Sequence, residues 1–551
     1  MRTHRKPPTV LGAITVMVAL TAPSVVAVSA QESATARPRP NIVIILVDDM
    51  GYSDIGCYGG EIETPHLDGL AANGLRFTRF HNSGRCCPTR ASLMTGLHPH
   101  QVGIGHMTEQ PGQPLDVTGP YQGFLNDRCV TIAQVLKTAG YHTFMTGKWH
   151  LGVNRRECWP LQRGFDRYYG GLSGAFNYFK PGGNRGITDG NHAVQTDEHF
   201  YSTDTFTDIA CQYITESSKL DNAPFFLYLA YNAPHWPLNS KWEEFQKYRG
   251  KYRNGWESLM QTRFARQVQL GMFDDSIEPA SHVGPKWDSL TDQQRDDLDA
   301  IMAAYAGCID TIDQNIGKLL RTLENIGRLD NTLIFFLSDN GACQEGGRLG
   351  QGNEQMVREP PLETTDGVRL GLAWANACNT PFRLYKHFVH EGGACTPMIA
   401  HWPAGIAAQN RGSFVRQLGY LPDFMATCLD VSGAAYPTDL PVCEGQSLLP
   451  LLHGENHPIH AGPVYWEHEG NAAVQWGKWK LVRQYEKPWE LYDIFADPTE
   501  HHDLASRDAS QREAMISMWE KWATDKGVAF PQRFNMYEYL QQQKQPRPAN
   551  Q

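Results

Sequence analysis

"NIVIILVDDMG", Asn41 to Gly51, decides the fold. Six apolar residues from Ile42 to Val47 run without alternation, so a strand built from them buries both faces. Two acids and Gly51 stop it. A strand of this kind belongs in a mostly parallel sheet covered by helices on both sides. In open sheets of that class, ligands bind beyond the carboxyl ends of the strands. Asp48 and Asp49 therefore stand where a site is expected.

Working outward, "TPHLDGLAANG" predicts a short helix with Pro65 near its start and Gly74 past its end. "TIAQVLKTAG" followed by "YHTFMTGKW" predicts helix then strand. "PFFLYLAY", "TLIFFLSDNG" and "TPMIAHWP" predict further strands. A long amphipathic helical region runs from "DDLDAIMAAYAG" to Gly327. Alternating strands and helices indicate an α/β domain with a large, mostly parallel mixed sheet flanked by helices. The texture changes near residue 456. "AAVQWGKWKLVRQ" and "WELYDIF" predict antiparallel strands, and "ASQREAMISMWEKWATDKG" a terminal helix. The expected layout is a domain over 41–455 and a small C-terminal α+β subdomain over 456–551. Residues 341–381 are rich in Gly and Pro with little periodicity and are expected to form a long loop, functional or mobile.

The chain opens with Arg2, Arg5 and Lys6, then an apolar stretch from Val10 to Val28 broken by Pro23, then small residues ending at Ala30. That is the layout of a secretory signal peptide over 1–30, followed by a polar linker over 31–40. No later stretch is apolar enough for a stable membrane span, so an exported protein, periplasmic or secreted, is expected. Removing the three basic residues takes the formal charge from −10 to −13. With that sign and no basic run, nucleic acid is not an expected partner. Twelve cysteines without a paired C-x-x-C pattern argue against a structural zinc site. Some are expected to form disulfides after export, with the pairing open.

Polar groups gather at the predicted strand ends: Asp48 and Asp49 after the first, Lys148 and His150 after "YHTFMTG", His235 after "PFFLYLAYNAP", Asp339 and Asn340 after "TLIFFLS". Each alone reads as ordinary turn chemistry. Together, three carboxylates and an amide carbonyl make an oxygen-rich set that suits a hard cation such as Ca²⁺ or Mg²⁺. Basic groups around such a cation suit a tetrahedral oxyanion. Glu467 and His468 in "YWEHEGN" fall in the small subdomain and are candidates for the pocket rim, against a purely structural role.

"CCPTR" at Cys86–Arg90 fits the C-x-[PA]-x-R signature of formylglycine-dependent sulfatases, with Thr89 where many members have Ser. "VDDMGYSDIGCYGG", "TPHLDGLAANG", "TGKWHLG", "APHWP", "LSDNG" and "LYKHFVHEGG" occur in the family's order. Between Asn41 and Tyr492 the chain thus resembles that family, most of all bacterial arylsulfatases of the alkaline-phosphatase superfamily. The resemblance implies an alkaline-phosphatase-like fold and a sulfuric-ester hydrolase. It implies that Cys86 is oxidised to formylglycine by a maturation enzyme that reads Pro88 and Arg90. One hydroxyl of the aldehyde hydrate attacks sulfur and displaces the alcohol; the other then expels sulfate. Asp48, Asp49, Asp339 and Asn340, with the residue at 86, correspond to ligands of one Ca²⁺, with Mg²⁺ the lesser choice. Arg90 holds the hydrate and the carboxylates. Lys148, His235 and Lys386 bind sulfate oxygens, with His235 or Lys386 at the leaving oxygen, and His150 takes a proton from the second hydroxyl. Leu97 departs from the family, where Arg often follows the glycine. Cys87 stands at the variable place. The substrate class is a sulfate ester, a sulfated sugar or an aryl sulfate. Rival readings are a phosphonate or phosphate ester hydrolase of the same superfamily, and a catalytically silent protein that binds sulfated glycans.

Overall fold

β1 (Asn41–Val47) lies inside an eleven-stranded sheet in the computed structural model, which describes residues 39–109 and 119–529. The predicted signal segment and nearly all of the linker lie outside the described residues. The other strands of this sheet are β2 (Leu75–His81), β3 (His142–Gly147), β4 (Arg167–Gly171), β5 (Ile187–Asp189), β6 (His192–Val194), β7 (Phe225–Ala230), β8 (Thr332–Ser338), β9 (Cys395–His401), β10 (Ser413–Val415) and β11 (Gly419–Tyr420). Their order is β10-β2-β9-β8-β1-β7-β3-β4-β5-β6, with β11 also on β2. The centre, β8-β1-β7-β3-β4, is parallel. β9 runs antiparallel between β8 and β2, and β5 and β6 form an antiparallel edge.

Both faces of β1 are buried, as the unbroken apolar run requires. Val43, Ile45 and Val47 join one core; Ile42, Ile44 and Leu46 join the other. The first core is completed by the helix Asp292–Asn325, a single element of 34 residues whose Thr291 cap and Gln294 form a capping box. The helices predicted at "TPHLDGLAANG" and "TIAQVLKTAG" form at Pro65–Ala72 and Ile132–Thr138. The segment 341–381 is not bare loop: Glu354–Arg358 and Leu372–Cys378 are short helices.

A second sheet of four antiparallel strands follows: β12 (Val464–His468), β13 (Asn471–Trp476), β14 (Trp479–Arg483) and β15 (Glu490–Asp493). One face packs on the helix Ala509–Lys526 through Val474, Leu481, Leu491, Met515 and Trp519. The other packs on the main body around Val389, Tyr420 and Trp466. Trp466 donates its indole N–H to Asn82 O at 2.9 Å, which places this sheet beside the segment leading to Cys86.

The expected disulfides are not formed: all twelve cysteines are free thiols, and all but Cys443 are buried. The reason is placement. Cys57, Cys211, Cys308, Cys378 and Cys395 sit in the core on one face of the sheet, and Cys86, Cys87, Cys129, Cys158 and Cys428 in the core on the other. The sheet stands between the two groups, and the thiols act as small apolar fillers. Among the described residues no helix is long and apolar enough to cross a membrane.

Candidate active site

The parallel register builds the site. Leu46 pairs with Ala230, Ala230 with Gly147, and Val47 with Ser338. Asp48, Lys148 and Asp339, each one residue further on, therefore emerge side by side at the carboxyl edge. Gly147 turns the chain there with φ 104°, and a Cβ would lie 1.8 Å from Ala230 O, so only glycine fits. Asp49 and His150 hold left-handed φ values of 72° and 57°. Such values are uncommon outside glycine and cluster at functional sites.

All ten predicted site residues meet at this edge and all are buried. Lys148 Nζ donates to Asp48 Oδ2 at 2.5 Å. Arg90 donates to Asp339 Oδ2 through Nε at 3.2 Å and Nη2 at 2.8 Å, and Nη1 donates to Lys148 O at 2.9 Å. Lys386 Nζ lies 2.7 Å from Asp49 Oδ1. His235 Nε2 lies 3.5 Å from Asp49 Oδ2, its ring held by a 2.7 Å contact from Nδ1 to Trp236 O. Asn340 donates its amide to Asp49 Oδ1 at 2.7 Å. Three carboxylates thus face three permanent cations. Burial, then repulsion from Asp339, pushes Asp48 well above the usual carboxylate range. Burial raises Asp339 too, against Arg90 and Lys148.

These residues fit a hard cation. Asp48 Oδ1 and Asn340 Oδ1 are buried without a hydrogen-bond partner, and acceptors of that kind are costly unless something positive meets them. One ligand atom each of Asp48, Asp49 and His235 lies within 4.8 Å of the others. The oxygen donors suit Ca²⁺ or Mg²⁺ rather than a soft metal.

Cys86 opens the helix Cys86–Thr95, with Arg85 as its extended cap residue. The free N–H groups of a helix start favour negative charge on the residue placed there. Arg90 follows one turn later on the same side. A hydrogen bond from Cys87 lowers the Cys86 thiol well below its ordinary range; burial opposes this, and Lys148 and His150 add to it. Burial pushes the Cys87 thiol up. Burial also pushes His150 down to about 4, so its imidazole is neutral near pH 7 and can accept a proton. His235 is lowered by burial and then by Lys386 and Lys148.

Apart from His468, sequence reasoning missed a second ring of residues. Arg85 donates to Glu345 Oε1 at 3.0 Å, and Trp236 donates its indole N–H to Glu345 Oε2 at 2.7 Å. The Arg369 guanidinium stacks 4.1 Å over the Trp236 ring. His387 Nδ1 lies 3.6 Å from Glu469 Oε2, and the His387 and His468 rings are 5.3 Å apart. These groups come from six separate places in the chain, and nothing local in sequence marks them as neighbours. Of the two rim candidates, His468 reaches this ring. Glu467 does not: it turns to His100, 2.6 Å away.

The chain is similar to known sulfatases in sequence and fold. The Sulfatase family profile matches residues 40–434, and the profile "N-sulphoglucosamine sulphohydrolase, C-terminal" matches 382–526. An uncharacterized sulfatase of Schizosaccharomyces pombe is 33% identical over 89% of this chain and 94% of its own length. The arylsulfatase of Klebsiella aerogenes is 33% identical over 67% of this chain and 82% of its own. The solved structure of Ps i-CgsB in complex with k-i-k-neocarrahexaose is 26% identical, with a TM-score of 0.68, over 93% of this chain and 98% of that one. The profile match over most of the chain and the 33% identity to a named arylsulfatase show that this chain belongs to the sulfatase family, as a sulfuric-ester hydrolase.

Proposed function

We propose that the chain hydrolyses a sulfate monoester of a sugar or aryl alcohol, with formylglycine made from Cys86 as nucleophile. The observation that carries this is the meeting of Cys86, at its helix start, with the Asp48–Asp49–Asp339–Asn340 oxygen set and three basic side chains. The thiol at 86 then stands for the precursor of the aldehyde hydrate. Asp48, Asp49, Asp339 and Asn340 would hold one divalent hard cation, Ca²⁺ in this reading, which would supply charge neutralisation at the nucleophile and sulfate oxygens.

The side chains divide the remaining work. Without the cation the three carboxylates and Arg90, Lys148 and Lys386 balance; with it the site carries a surplus of positive charge that attracts a sulfate ester. Lys148, Lys386 and His235 bind the sulfate oxygens, and His235 or Lys386 protonates the leaving oxygen. Arg90 fixes the nucleophile through its bonds to Asp339 and Lys148 O. Neutral His150 accepts the proton of the second hydroxyl, which lets the hydrate collapse and release sulfate. A serine would lack that second hydroxyl.

Residues 41–455 form the catalytic domain of this reading, and 456–551 a subdomain that lends His468 and Glu469 to the rim. The apolar segment before Ala30 supports export to a periplasm or beyond, where a formylglycine-generating enzyme must have acted first. The neocarrahexaose in the complex of the relative Ps i-CgsB supports a carbohydrate as the alcohol part of the substrate. The test is side-by-side turnover of nitrophenyl sulfate, phosphate and phosphonate, then of sulfated oligosaccharides. A higher kcat/KM on a phosphorus ester overturns the reading.

A further inference from the structure

The sulfatase reading leaves Cys87 without a task. Its thiol is wholly buried, yet it does not sit in a purely apolar pocket. Cys86 Sγ, Cys87 Sγ and a ring nitrogen of His150 lie within 4.8 Å of one another. Met107 Sδ lies 3.7 Å from Cys87 Sγ. His150 Nδ1 is buried with no hydrogen-bond partner, so the imidazole is not tied up at both nitrogens. Two thiols, an imidazole and a thioether are gathered within a few ångströms, and none of them is an oxygen donor.

We propose that the protein whose residue 86 is still cysteine binds one thiophilic divalent cation, of the Zn²⁺ or Cd²⁺ type, through Cys86, Cys87 and His150, with Met107 completing the set. A tetrahedral site with metal–sulfur bonds of about 2.3 Å places its sulfurs about 3.8 Å apart. The observed spread closes to that with side-chain rotations of about 1 Å. Each cysteine binds as thiolate, so the thiol protons still present leave to solvent and two metal–sulfur bonds form. Two thiolates cancel the charge of the cation, which allows it to sit near Lys148 and Arg85. Softness sorts the two neighbouring sites: oxygen donors on one side select a hard cation, sulfur and nitrogen on the other a soft one. Conversion of Cys86 to formylglycine removes one sulfur and dismantles the soft site. The site is therefore a property of the unconverted chain alone, and a soft cation there occupies the nucleophile's position.

The test uses full-length protein made in cells without a formylglycine-generating enzyme, reduced, kept free of oxygen and saturated with Ca²⁺. Cd²⁺ is added while the ultraviolet thiolate-to-metal charge-transfer band is followed. The expected result is a band that saturates at one equivalent and is bleached by competing Zn²⁺. Cys87→Ser should weaken binding by more than the ~10–100-fold that loss of an outer-shell partner costs. Met107→Leu should weaken it less. Fully converted protein should show no band. No band in the wild type, or an equal band in Cys87→Ser or in converted protein, overturns the proposal. Only binding is read, so its failure leaves the hydrolase reading untouched, and failure of hydrolysis leaves this untouched.

Discussion

Gly174 offers a test of the role given to His150 that leaves His150 itself in place. A Cβ added at residue 174 would lie 2.5 Å from His150 Cε1 and 2.6 Å from Nε2. Ordinary contact begins near 3.6 Å, so Gly174→Ala must push the ring by about 1 Å, and a 1 Å misplacement costs on the order of 10²-fold in rate. Loss of a positioned general base costs about 10²–10⁴-fold, so Gly174→Ala should fall toward the lower end of what His150→Ala loses. The effect should be confined to one half of the reaction. His150 acts after the alcohol has left, so release of the first equivalent of nitrophenol should stay fast while steady turnover slows by roughly 10²-fold. Rapid mixing with nitrophenyl sulfate reads both phases, and a burst should become visible in the variant. A thermal melt checks that the fold is retained. If Gly174→Ala slows the burst and the steady rate alike, or changes neither, the assignment of His150 to the second step is wrong.

Other outcomes are expected. Lys148→Ala and His235→Ala should each cut kcat by about 10²–10³-fold, as for removal of a donor to a developing oxyanion, with melting temperature as the control; near-wild-type rates would remove them from the site. Digestion and mass spectrometry of active protein should find the aldehyde in the peptide spanning Cys86, and thiol alone would leave the mechanism without a nucleophile. Ca²⁺ at 100 times its Kd should add about 2.7 kcal/mol of stability, or about 2–3 °C at roughly 1 °C per kcal/mol for a chain of this size. Burial holds Asp48 and Asp339 above their unfolded value, so the cation-free protein loses stability as pH rises through their folded values, and the gain from Ca²⁺ should widen with pH in calorimetry. His150 and His98 are pushed down to about 4 by burial. Their contribution to stability is present above the imidazole range and lost as pH falls from about 6.5 toward 4; acid titration that leaves the melting temperature flat over that window would contradict it.

Much of this site was legible because strand ends are legible. Unbroken apolar runs such as Ile42–Val47 and Leu333–Leu337 can only be strands buried on both faces, and the residues that follow them must share an edge if the sheet is parallel. Asp48, Lys148 and Asp339 follow from that rule alone, and the signature around Cys86 places the nucleophile. The second ring was not legible. Arg85, Trp236, Glu345 and Glu469 meet through tertiary packing of loops whose local sequence carries no period. β9 reads as one more buried strand, but its reversed direction depends on which strands flank it. The free thiols escaped for a similar reason: sequence counts cysteines but does not say on which face of a sheet each one falls.

The sheet order also sets a timetable for synthesis. β1 pairs with β7 and β8, so its edge cannot close until the chain has been made through Ser338, roughly 250 residues beyond Cys86. At about 5–20 residues per second, that leaves Arg90 without its Asp339 partner for roughly 12–50 s. Trp466, which anchors to Asn82, arrives later still. Any chemistry on "CCPTR" that needs the segment unburied therefore has a window fixed by topology, and the same long-range pairing that builds the strand edge ends it.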